Sequence, residues 1–514
     1  MRNEGDGLIL PPMSINTYFA KQFGKSVRRR AQKEALQAGA IQRNTFRHLM
    51  KKLAKTSFGE DHLIKEDVSY EEFKKLVPVR DYEGLKLYFD RIANGESDVC
   101  WPGLPLYLAK TSGTTSGAKY IPITKASVKN HINSARNALL EYVAETGKAD
   151  FINGKLIFLS GSPVLEKKAG IHMGRLSGIV NHHVPSYLRK NQLPSWEVNC
   201  IEDWEIKVQN IAEETINEDM RLISGIPPWV QMYFDVLQSK SEGKTIKEIF
   251  PNFQLFVYGG VNFSPYEKKL MDSIGGEIDT IEFYPASEGF IAYQDSQKEE
   301  GMRLLINEGI FYEFIPLENF YDENPPRITV EEVELDVNYA LIINSNAGLW
   351  GYSIGDTVRF VSLNPHKLVV SGRVKHFISA FGEHVIGEEV EHALMTAASE
   401  MKLTITEFTV APQVNPSDGE LPYHEWFVEF KKPPSDLSNL AMAVDLLLQN
   451  RNVYYRDLIS GKVLQTLKIR PLNQGAFVQF MKDQGKLGGQ NKVPRLSNDR
   501  KIADDLMRFV KSSD

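Results

Sequence analysis

Residues 110–119 form the segment best suited to holding an anion. Between 111 and 117 every residue is Gly, Ser or Thr, and Lys119 follows two positions later. The backbone N–H and hydroxyl groups of such a segment can turn onto phosphate oxygens. It is not a Walker loop, because only three residues separate Gly113 from Gly117 and Ala118 precedes the lysine. The same composition also suits an exposed turn, so this segment alone does not decide between the two.

Four later segments carry charged side chains beside glycine or aromatic residues. They are Phe283–Gly289, Tyr352–Asp356, Gly372–Ile378 and Gly489–Arg495. Each one alone is weak, because a strand-end glutamate or a turn aspartate is more often a cap or a surface residue. Their value lies in their order along the chain after the hydroxyl-rich segment.

In that order the five segments resemble the motifs of the adenylate-forming superfamily, which includes acyl-CoA ligases and luciferase-like enzymes. Residues 57–62, 77–83 and 101–103 lead into the hydroxyl-rich segment. That run resembles the Gretchen Hagen (GH3) family of acyl acid amido synthetases. The resemblance extends over almost the whole chain. It implies activation of a small carboxylic acid by ATP, followed by transfer of the acyl group from an acyl adenylate to an amino acid.

The resemblance implies roles for individual residues. The phosphates of ATP are expected at Thr111, Ser112, Gly113, Thr114 and Thr115. Glu288 is expected to be catalytic and to bind Mg²⁺, a hard cation that prefers oxygen ligands. In the same motif, which includes Ala286 and Ser287, either Tyr284 or Phe283 would stack on adenine.

The other implied residues lie at strand ends and in the last quarter of the chain. Gly259 and Gly260 would approach the adenine closely, since glycine has no side-chain bulk. Asp356 would bind the ribose, and Arg373 would bind ribose or phosphate, although an interdomain salt bridge also suits Arg373. Lys375 matches the superfamily's hinge. Lys492 matches its catalytic lysine, with Lys486 as the competing candidate.

The sequence does not decide whether the acceptor of the acyl group is an amino acid or CoA. Gly382 follows the hinge in a sequence that resembles acyl-CoA ligases, where a glycine leaves room for the pantetheine arm of CoA. An acyl-CoA ligase is therefore the second hypothesis, and a non-catalytic binding protein on the same fold is the third. The third is disfavoured because Glu288, Asp356, Arg373 and Lys492 are all of the required type.

Composition limits the remaining classes. The 514 residues are 42% hydrophobic and 25% charged, with a net charge of −6. A negative chain is a poor candidate for general nucleic-acid binding. Cys100 and Cys200 cannot form a disulfide framework or a cysteine-rich zinc site. No apolar run is long enough to span a membrane, so we expect a cytoplasmic protein with neither nucleic acid nor membrane as partner.

The elements that must position these motifs predict an α/β fold. Short apolar runs at 156–159, 255–258 and 280–283 alternate with helical segments such as 204–214 and 230–237, which favours a largely parallel sheet. Residues 327–361 suggest antiparallel strands with turns at Gly348, Gly351 and Gly355. Helices are also predicted over 31–53, 70–76, 387–401 and 438–459.

A change in the pattern of predicted strands and helices near residue 372 predicts two domains. Residues 1–372 would form a large N-terminal adenylation domain of mixed sheets and helices. Residues 373–514 would form a smaller, mobile α+β C-terminal domain, which is an ordinary size for an independent unit.

Lys492 gives a test that separates the two half-reactions. We predict that Lys492→Ala lowers the rate of adenylation by about 10²–10³, the usual cost of losing one donor to a charged transition state. Attack of the acceptor on chemically made acyl adenylate should change far less, because domain rotation withdraws the lysine. Both half-reactions are measured on one purified variant. Equal losses in the two would contradict a step-specific role.

Overall fold

The computed structural model describes residues 15–114, 117–184, 189–261, 263–374, 377–378, 380–383, 385–417, 419–434, 436–484 and 493–511. Its helices are α1 (Ile15–Ala35), α2 (Ala38–Leu53), α3 (Ser57–Asp61), α4 (Tyr70–Leu76), α5 (Tyr82–Ala93), α6 (Val128–Thr146), α7 (Leu176–Asn181), α8 (Trp196–Asn199), α9 (Trp204–Thr215), α10 (Pro227–Lys240), α11 (Ile246–Ile249), α12 (Ser264–Ile274), α13 (Gly387–Glu400), α14 (Leu437–Arg451), α15 (Val453–Ser460), α16 (Ala476–Asp483) and α17 (Lys501–Leu506).

The strands are β1 (Tyr107–Thr114), β2 (Gly117–Ile123), β3 (Lys155–Phe158), β4 (Glu166–Lys168), β5 (Ile171–Gly174), β6 (Gln192–Leu193), β7 (Met220–Ser224), β8 (Leu255–Gly259), β9 (Asp279–Ala286), β10 (Gly289–Tyr293), β11 (Met302–Leu304), β12 (Ile310–Pro316), β13 (Asn338–Ser345), β14 (Leu349–Leu363), β15 (His366–Arg373), β16 (Phe377–Ile378), β17 (Val385–Ile386), β18 (Ile405–Gln413), β19 (Tyr423–Phe430) and β20 (Lys468–Leu472). Short 3-10 helices lie at Asp150–Asn153, Leu317–Asn319 and Met507–Phe509.

The largest sheet in the described part of the chain has 11 strands in the order β12-β13-β14-β15-β11-β10-β9-β8-β7-β3-β6. From β6 to β9 the neighbouring strands are parallel, and from β9 to β12 they are antiparallel. The change of direction occurs at the β9–β10 hairpin. Ligands bind at the carboxyl ends of parallel strands, so the ends of β3, β7, β8 and β9 mark the edge where a site is expected.

Two smaller sheets flank this one. A four-stranded sheet has the order β2-β1-β5-β4 and carries the hydroxyl-rich segment in its β1–β2 hairpin. A three-stranded sheet, β18-β19-β20, belongs to the last part of the chain. One apolar cluster joins Phe256 and Leu270 to Phe381 and Trp426, so residues from both sides of position 373 share a core.

The α/β class predicted from the sequence is confirmed. The helix predicted over 70–76 has the predicted limits, with Ser69 accepting a hydrogen bond from Glu72 N–H at its start. The single helix predicted over 438–459 is wrong. Asn452 lies outside the helical conformation, and its side chain caps α15 by accepting from Tyr455 N–H at 2.8 Å. The helix predicted over 31–53 is likewise two helices, α1 and α2.

None of the helices in the described residues is both long and apolar enough to cross a bilayer.

A buried ion pair ties the N-terminal helices to the antiparallel half of the large sheet. Glu313 on β12 is fully buried and accepts two hydrogen bonds from Arg327, at 2.8 and 2.7 Å. Its carboxylate also accepts from Tyr70 at 2.9 Å and from Asn344 at 2.7 Å. Arg327 donates further to the carbonyl of Val77. Every oxygen of the carboxylate therefore has a partner, as a buried charge requires.

Arg327→Met should leave the Glu313 charge buried without compensation. We predict a loss of about 3–5 kcal/mol in the free energy of unfolding, the range found when one partner of a buried pair is removed. Urea unfolding followed by circular dichroism measures it. Arg359→Met, which breaks the more exposed pair with Asp336, is the matched control and should cost no more than about 1 kcal/mol. Equal midpoints for the two variants would contradict this account.

Candidate functional site

Ten of the residues predicted from the motifs line one cavity of about 2680 Å³. It opens at the carboxyl edge of the parallel strands, between the large sheet, the β1–β2 hairpin and residues of α15. Its lining includes Thr111, Gly259, Gly260, Phe283, Tyr284, Ala286, Ser287, Glu288, Asp356 and Arg373. Side chains that are separated by up to 262 positions in the sequence therefore meet in one place.

The hydroxyl-rich segment is a β-hairpin rather than a surface loop without structure. Ser112, Gly113 and Thr114 belong to β1, and Thr111 pairs with Lys119 of β2. Thr115 and Ser116, and the side chains of residues 112–114, 117 and 118, lie outside the described residues. The hairpin therefore brings Thr111 and Lys119 to the cavity wall.

Glu288 is held at the tip of the β9–β10 hairpin. Ala286 pairs with Gly289, so Ser287 and Glu288 form a two-residue turn. Glu288 is buried, and its Oε1 accepts a hydrogen bond from the Tyr352 hydroxyl at 3.0 Å. This contact fixes the carboxylate against β14.

Asp356 is presented by a bulge in β14. Ala340 pairs with Thr357 and Ile342 pairs with Ser353, so three residues of β14 face a single residue of β13. Gly355 lies within this bulge at φ +86°, a conformation that favours glycine. The sequence predicted a turn here, and also at Gly351. Both glycines instead lie inside one long strand.

The carboxylate of Asp356 joins three strands. It pairs with the Arg373 guanidinium from the facing position on β15. Its second oxygen accepts from the Tyr284 hydroxyl of β9 at 2.6 Å. Burial, followed by the nearby Asp356 charge, holds the pKa of Tyr284 well above its usual range, so its hydroxyl stays a donor.

Phe283 and Tyr284 lie on opposite faces of β9, as alternation along a strand requires. Phe283 packs edge-to-face on Phe290, with ring centroids 5.2 Å apart, in a cluster that includes Ala138. Tyr284 instead faces Asp356. The motif left these two aromatics ambiguous, and the structure separates them into two environments.

Gly259 is required by close packing against β9. A Cβ atom at this position would lie 2.3 Å from the carbonyl oxygen of Phe283, its partner in the parallel ladder. Gly260 follows at φ +83°. The backbone of β8 therefore ends against the Phe283–Tyr284 segment with no side chain between them.

Residues 77–83 contact both β14 and the β1–β2 hairpin. Arg80 N–H donates to Gly351 O at 2.9 Å, and Ser353 N–H donates to Arg80 O at 2.8 Å. The hydroxyl of Tyr82 accepts from Tyr120 N–H at 3.0 Å. Residues 77–83 contributed to the family resemblance, but the sequence did not show that they join β14 to the β1–β2 hairpin.

Lys119 is a second cation at this edge, close enough to Glu288 to interact with its charge. Burial lowers the pKa of Lys119, and the Glu288 carboxylate acts in the opposite direction. Its ammonium also lies 5.9 Å from the ring centroid of Tyr82. In the sequence Lys119 only follows the hydroxyl-rich segment, and its proximity to Glu288 could not be inferred from spacing.

Residues after position 373 complete the cavity. Tyr454 of α15 donates its hydroxyl hydrogen to Lys110 O at 2.9 Å, so it contacts the strand that carries Thr111. Arg175 lies 5.1 Å from the Tyr454 ring centroid and pairs with Asp457 at 2.5 Å. No motif marked Tyr454 or Arg175, because each acts through a partner distant in sequence.

Three lysines that the sequence predicted, Lys375, Lys486 and Lys492, lie outside the described residues. His182 and His183 bind different partners, the Pro163 carbonyl at 2.8 Å and the Tyr107 hydroxyl at 3.0 Å. Within the described ranges, no three His, Cys, Asp or Glu side chains group as metal ligands.

Comparison with known families matches most of the chain to one family. Residues 27–203 match the GH3 family N-terminal domain, residues 303–373 the GH3 family central domain, and residues 388–501 the GH3 family C-terminal domain. Together the three matches cover well over half of the chain.

Individual relatives have low sequence identity to this chain, but the matches extend over nearly the full length of both proteins. The jasmonoyl-L-amino acid synthetase GH3.5 of Oryza sativa subsp. japonica is 23% identical, over 93% of this chain and 95% of that protein. The solved GH3.15 acyl acid amido synthetase covers 98% of both chains at 16% identity, with a TM-score of 0.60. A 2-hydroxyisobutyryl-CoA ligase with 2-HIB-AMP and CoA covers 98% of this chain and 97% of that one at 12% identity, with a TM-score of 0.54. The two structural likenesses show a shared fold.

Glu282, beside Phe283 at the cavity wall, gives a prediction for pH. Burial raises the pKa of Glu282 to about 7, above the value of about 4.3 expected when unfolded. The folded chain therefore keeps a proton that the unfolded chain loses, so this residue's contribution to stability is lost as pH rises from about 4.5 through 7. Glu282→Gln should remove up to about 3 kcal/mol of that pH dependence.

Urea midpoints of both proteins at pH 5 and pH 8 measure the difference. Glu277→Gln, at an exposed position near the start of the same strand, is the control and should retain the wild-type dependence. An identical pH dependence in Glu282→Gln and the wild type would show that Glu282 titrates normally.

Proposed function

Because the chain belongs to the GH3 family, we propose that it is an ATP-dependent acyl acid amido synthetase. The observation that carries the proposal is the convergence of Thr111, Glu288, Asp356 and Arg373 on one cavity at the carboxyl edge of the parallel strands. These are the groups an adenylating enzyme needs for phosphate, metal and ribose.

The first half-reaction joins the acid to AMP. An oxygen of the carboxylate attacks the α-phosphorus of ATP, the bond to the β-phosphate oxygen breaks, and pyrophosphate leaves with the electron pair. Negative charge builds on the phosphoryl oxygens, so catalysis rests on positioning and on fixed positive charge. Thr111 and Lys119 of the β1–β2 hairpin line the cavity and would supply it, and Lys492 is proposed to add to it during adenylation.

Tyr284 and Asp356 form the nucleotide side of the cavity in this proposal. Asp356 would accept hydrogen bonds from the ribose hydroxyls, and Arg373 neutralises its charge. Tyr284, on the face of β9 that meets Asp356, is the aromatic residue for adenine, beside the Gly259–Gly260 backbone. Phe283 faces Phe290 and Ala138 and so belongs to the apolar wall available to the acyl group.

Glu288 is proposed as the protein ligand of Mg²⁺. Mg²⁺ commonly uses one or two carboxylates and completes its shell with water and substrate phosphates. A single buried carboxylate, oriented through one oxygen by Tyr352, fits that donor set. When bound, the ion supplies positive charge to the phosphate oxygens.

The second half-reaction transfers the acyl group. The amine of an amino acid, after losing a proton to solvent, attacks the acyl carbon. The bond from that carbon to the phosphate oxygen breaks, AMP leaves with the electron pair, and the remaining excess proton on nitrogen passes to solvent. The products are an amide and AMP.

The residue ranges 1–372 and 373–514 are proposed as the adenylation domain and a mobile C-terminal domain. Rotation near Lys375 would bring Lys492 to the site for adenylation and remove it for transfer. The contacts between Tyr454 and Lys110 and between Arg175 and Asp457 would change in that movement. We also propose a cytoplasmic location, since both cysteines are free thiols.

A specific feature favours CoA as a second candidate acceptor. Gly382 adopts φ +90°, and among the described residues a Cβ atom there would meet only the Ile226 side chain, at 4.0 Å. The backbone thus leaves open space at the position where the sequence resembles acyl-CoA ligases. An acyl-CoA ligase would share the first half-reaction and differ in the second.

The proposal predicts exchange of labelled pyrophosphate into ATP that depends on an acid but not on an acceptor. A panel of aryl, indole and aliphatic acids is tested with Mg²⁺, and active acids are then tested with each amino acid and with CoA. We expect an amide and AMP with an amino acid. Glu288→Gln keeps the size of the side chain and should lower exchange while raising the Mg²⁺ concentration required.

Two outcomes would count against the proposal. Absence of exchange with the whole panel would argue against an adenylating enzyme. Rapid thioester formation with CoA, with every amino acid inert, would replace the amido synthetase by the acyl-CoA ligase.

A further inference from the structure

A group of buried polar atoms without partners lies at the ends of β3 and β7, apart from the nucleotide residues. Among the described residues, no hydrogen-bond partner is found for the Ser160 hydroxyl or for the indole nitrogens of Trp204 and Trp229. Ser160 and Trp204 are each 7% exposed. All three line the large cavity. Unpaired buried polar groups cost stability, so such a cluster needs an explanation.

Lys207 brings a positive charge to the same place. Its side chain is 1% exposed, and its ammonium donates to Ser160 O at 2.9 Å and to Asn199 O at 2.7 Å. An ammonium has three donors, so one remains for another group. In the described residues no carboxylate pairs with it. Burial lowers the pKa of Lys207 to about 8, which leaves it largely protonated at neutral pH.

The two indoles and Lys207 are close to one another. The ring centroids of Trp204 and Trp229 are 4.4 Å apart, and the Lys207 ammonium is 5.8 Å from the Trp204 ring centroid. We call Ser160, Trp204, Lys207 and Trp229 the tryptophan pocket. Its unused groups include three N–H donors and one hydroxyl, set against apolar ring surfaces.

The tryptophan pocket is two contacts away from the strand that carries Thr111. Arg175 directly follows β5, whose last residue pairs with Ala109 on β1. A Cβ atom at Gly161, the neighbour of Ser160, would lie 2.9 Å from the Arg175 Cδ atom. Arg175 therefore lies between β1 and Gly161, and the neighbouring Ser160 accepts the hydrogen bond from Lys207.

The last part of the chain closes the pocket. A Cβ atom at Gly461 would lie 3.0 Å from the Trp204 Cβ atom, and Lys462 pairs with Glu205 at 2.7 Å. The pocket is thus covered by the segment that follows α15. A group bound here would be enclosed between that segment and the parallel sheet.

The chemistry of the pocket selects a small anion with an organic body. Donors with one positive charge match a carboxylate, which accepts several hydrogen bonds. The indole rings supply surface for the adjoining carbon atoms. We propose that the tryptophan pocket binds the α-carboxylate of the amino acid acceptor, with Lys207 as its counter-charge. The inference rests on the proposed function and assigns a specificity site to its second half-reaction.

The kinetic test compares acceptors with and without a carboxylate. The acceptors are an amino acid and its amide, whose amines are alike. The wild type should prefer the amino acid. Lys207→Met should raise the KM for the amino acid by about 10–100-fold, the range expected for hydrogen bonds to a charged group. The KM of the amide should change little, so the preference collapses. Lys268→Met, an exposed lysine on α12, is the matched control and should keep it.

Two further variants keep the test valid if Lys207→Met does not fold. Trp204→Phe and Trp229→Phe retain the aromatic surface and remove one N–H donor each, and each should weaken the same preference. Pyrophosphate exchange, which needs no acceptor, reports a folded adenylation site. Normal exchange with an unchanged preference in all three variants would overturn the assignment.

Binding is also measured without turnover. Titration of the full chain with the amino acid should change tryptophan fluorescence, the amide should not, and Trp204→Phe and Trp229→Phe should each reduce the signal. This separates the two levels of inference. A carboxylate-dependent signal in a chain that shows no exchange would retain the pocket and reject the synthetase. Exchange and amide formation without any carboxylate-dependent signal or preference would retain the synthetase and reject the pocket.

Discussion

The buried carboxylate of Asp356 is the interaction on which the rest of the site depends. A carboxylate removed from water is costly unless it is paired and hydrogen-bonded. Here Arg373 supplies the charge and Tyr284 a hydrogen bond, and the three residues come from three different strands. The pairing is therefore possible only when β9, β14 and β15 are already in register. The bulge at Gly355 is what turns the carboxylate toward the cavity.

The strand that carries Asp356 also positions other parts of the site. Tyr352, four residues before Asp356, orients Glu288. Residues next to Tyr352 bind the Arg80 backbone, which leads to Tyr82 and the β1–β2 hairpin. Thus one strand aligns three proposed parts of the site: the metal ligand Glu288, the ribose-binding residue Asp356 and the phosphate-binding hairpin.

The polar contacts that join α15 to the N-terminal part of the chain are weaker. Arg175 and Asp457 are 33% and 43% exposed, and exposed ion pairs contribute about 0–1 kcal/mol. Tyr454 adds one hydrogen bond to Lys110. These two polar contacts would break at little cost in the proposed rotation, whereas the apolar cluster shared by Phe256, Leu270, Phe381 and Trp426 joins the two ranges across position 373 in this structure. The Glu313–Arg327 network, in contrast, is enclosed within the core.

Much of the fold and of the site geometry follows from the sequence, and the failures have physical causes. The resemblance carried by the ordered motifs implied which side chains meet, and those among the described residues line one cavity. Local pattern did not reveal the break at Asn452, where a side-chain cap replaces a helical turn. It also placed Gly355 in a turn, since a positive φ is shared by turns and bulges.

The tryptophan pocket could not be predicted at all. Lys207, Trp204 and Trp229 have ordinary helical surroundings in the sequence, and their unsatisfied atoms appear only once the ends of β3 and β7 are assembled. Arg175 and Tyr454 were missed for the same reason. Contacts between residues far apart in the chain carry no signature in the spacing of a single sequence.

The central claim is that the acid is activated by direct attack on the α-phosphorus of ATP. Labelling the carboxylate oxygens of an accepted acid with ¹⁸O tests it most directly, with mass spectrometry of the nucleotide product. The account predicts AMP that carries one ¹⁸O atom, in amounts equal to the amide formed. Unlabelled AMP, or ADP with the label in inorganic phosphate, would contradict it.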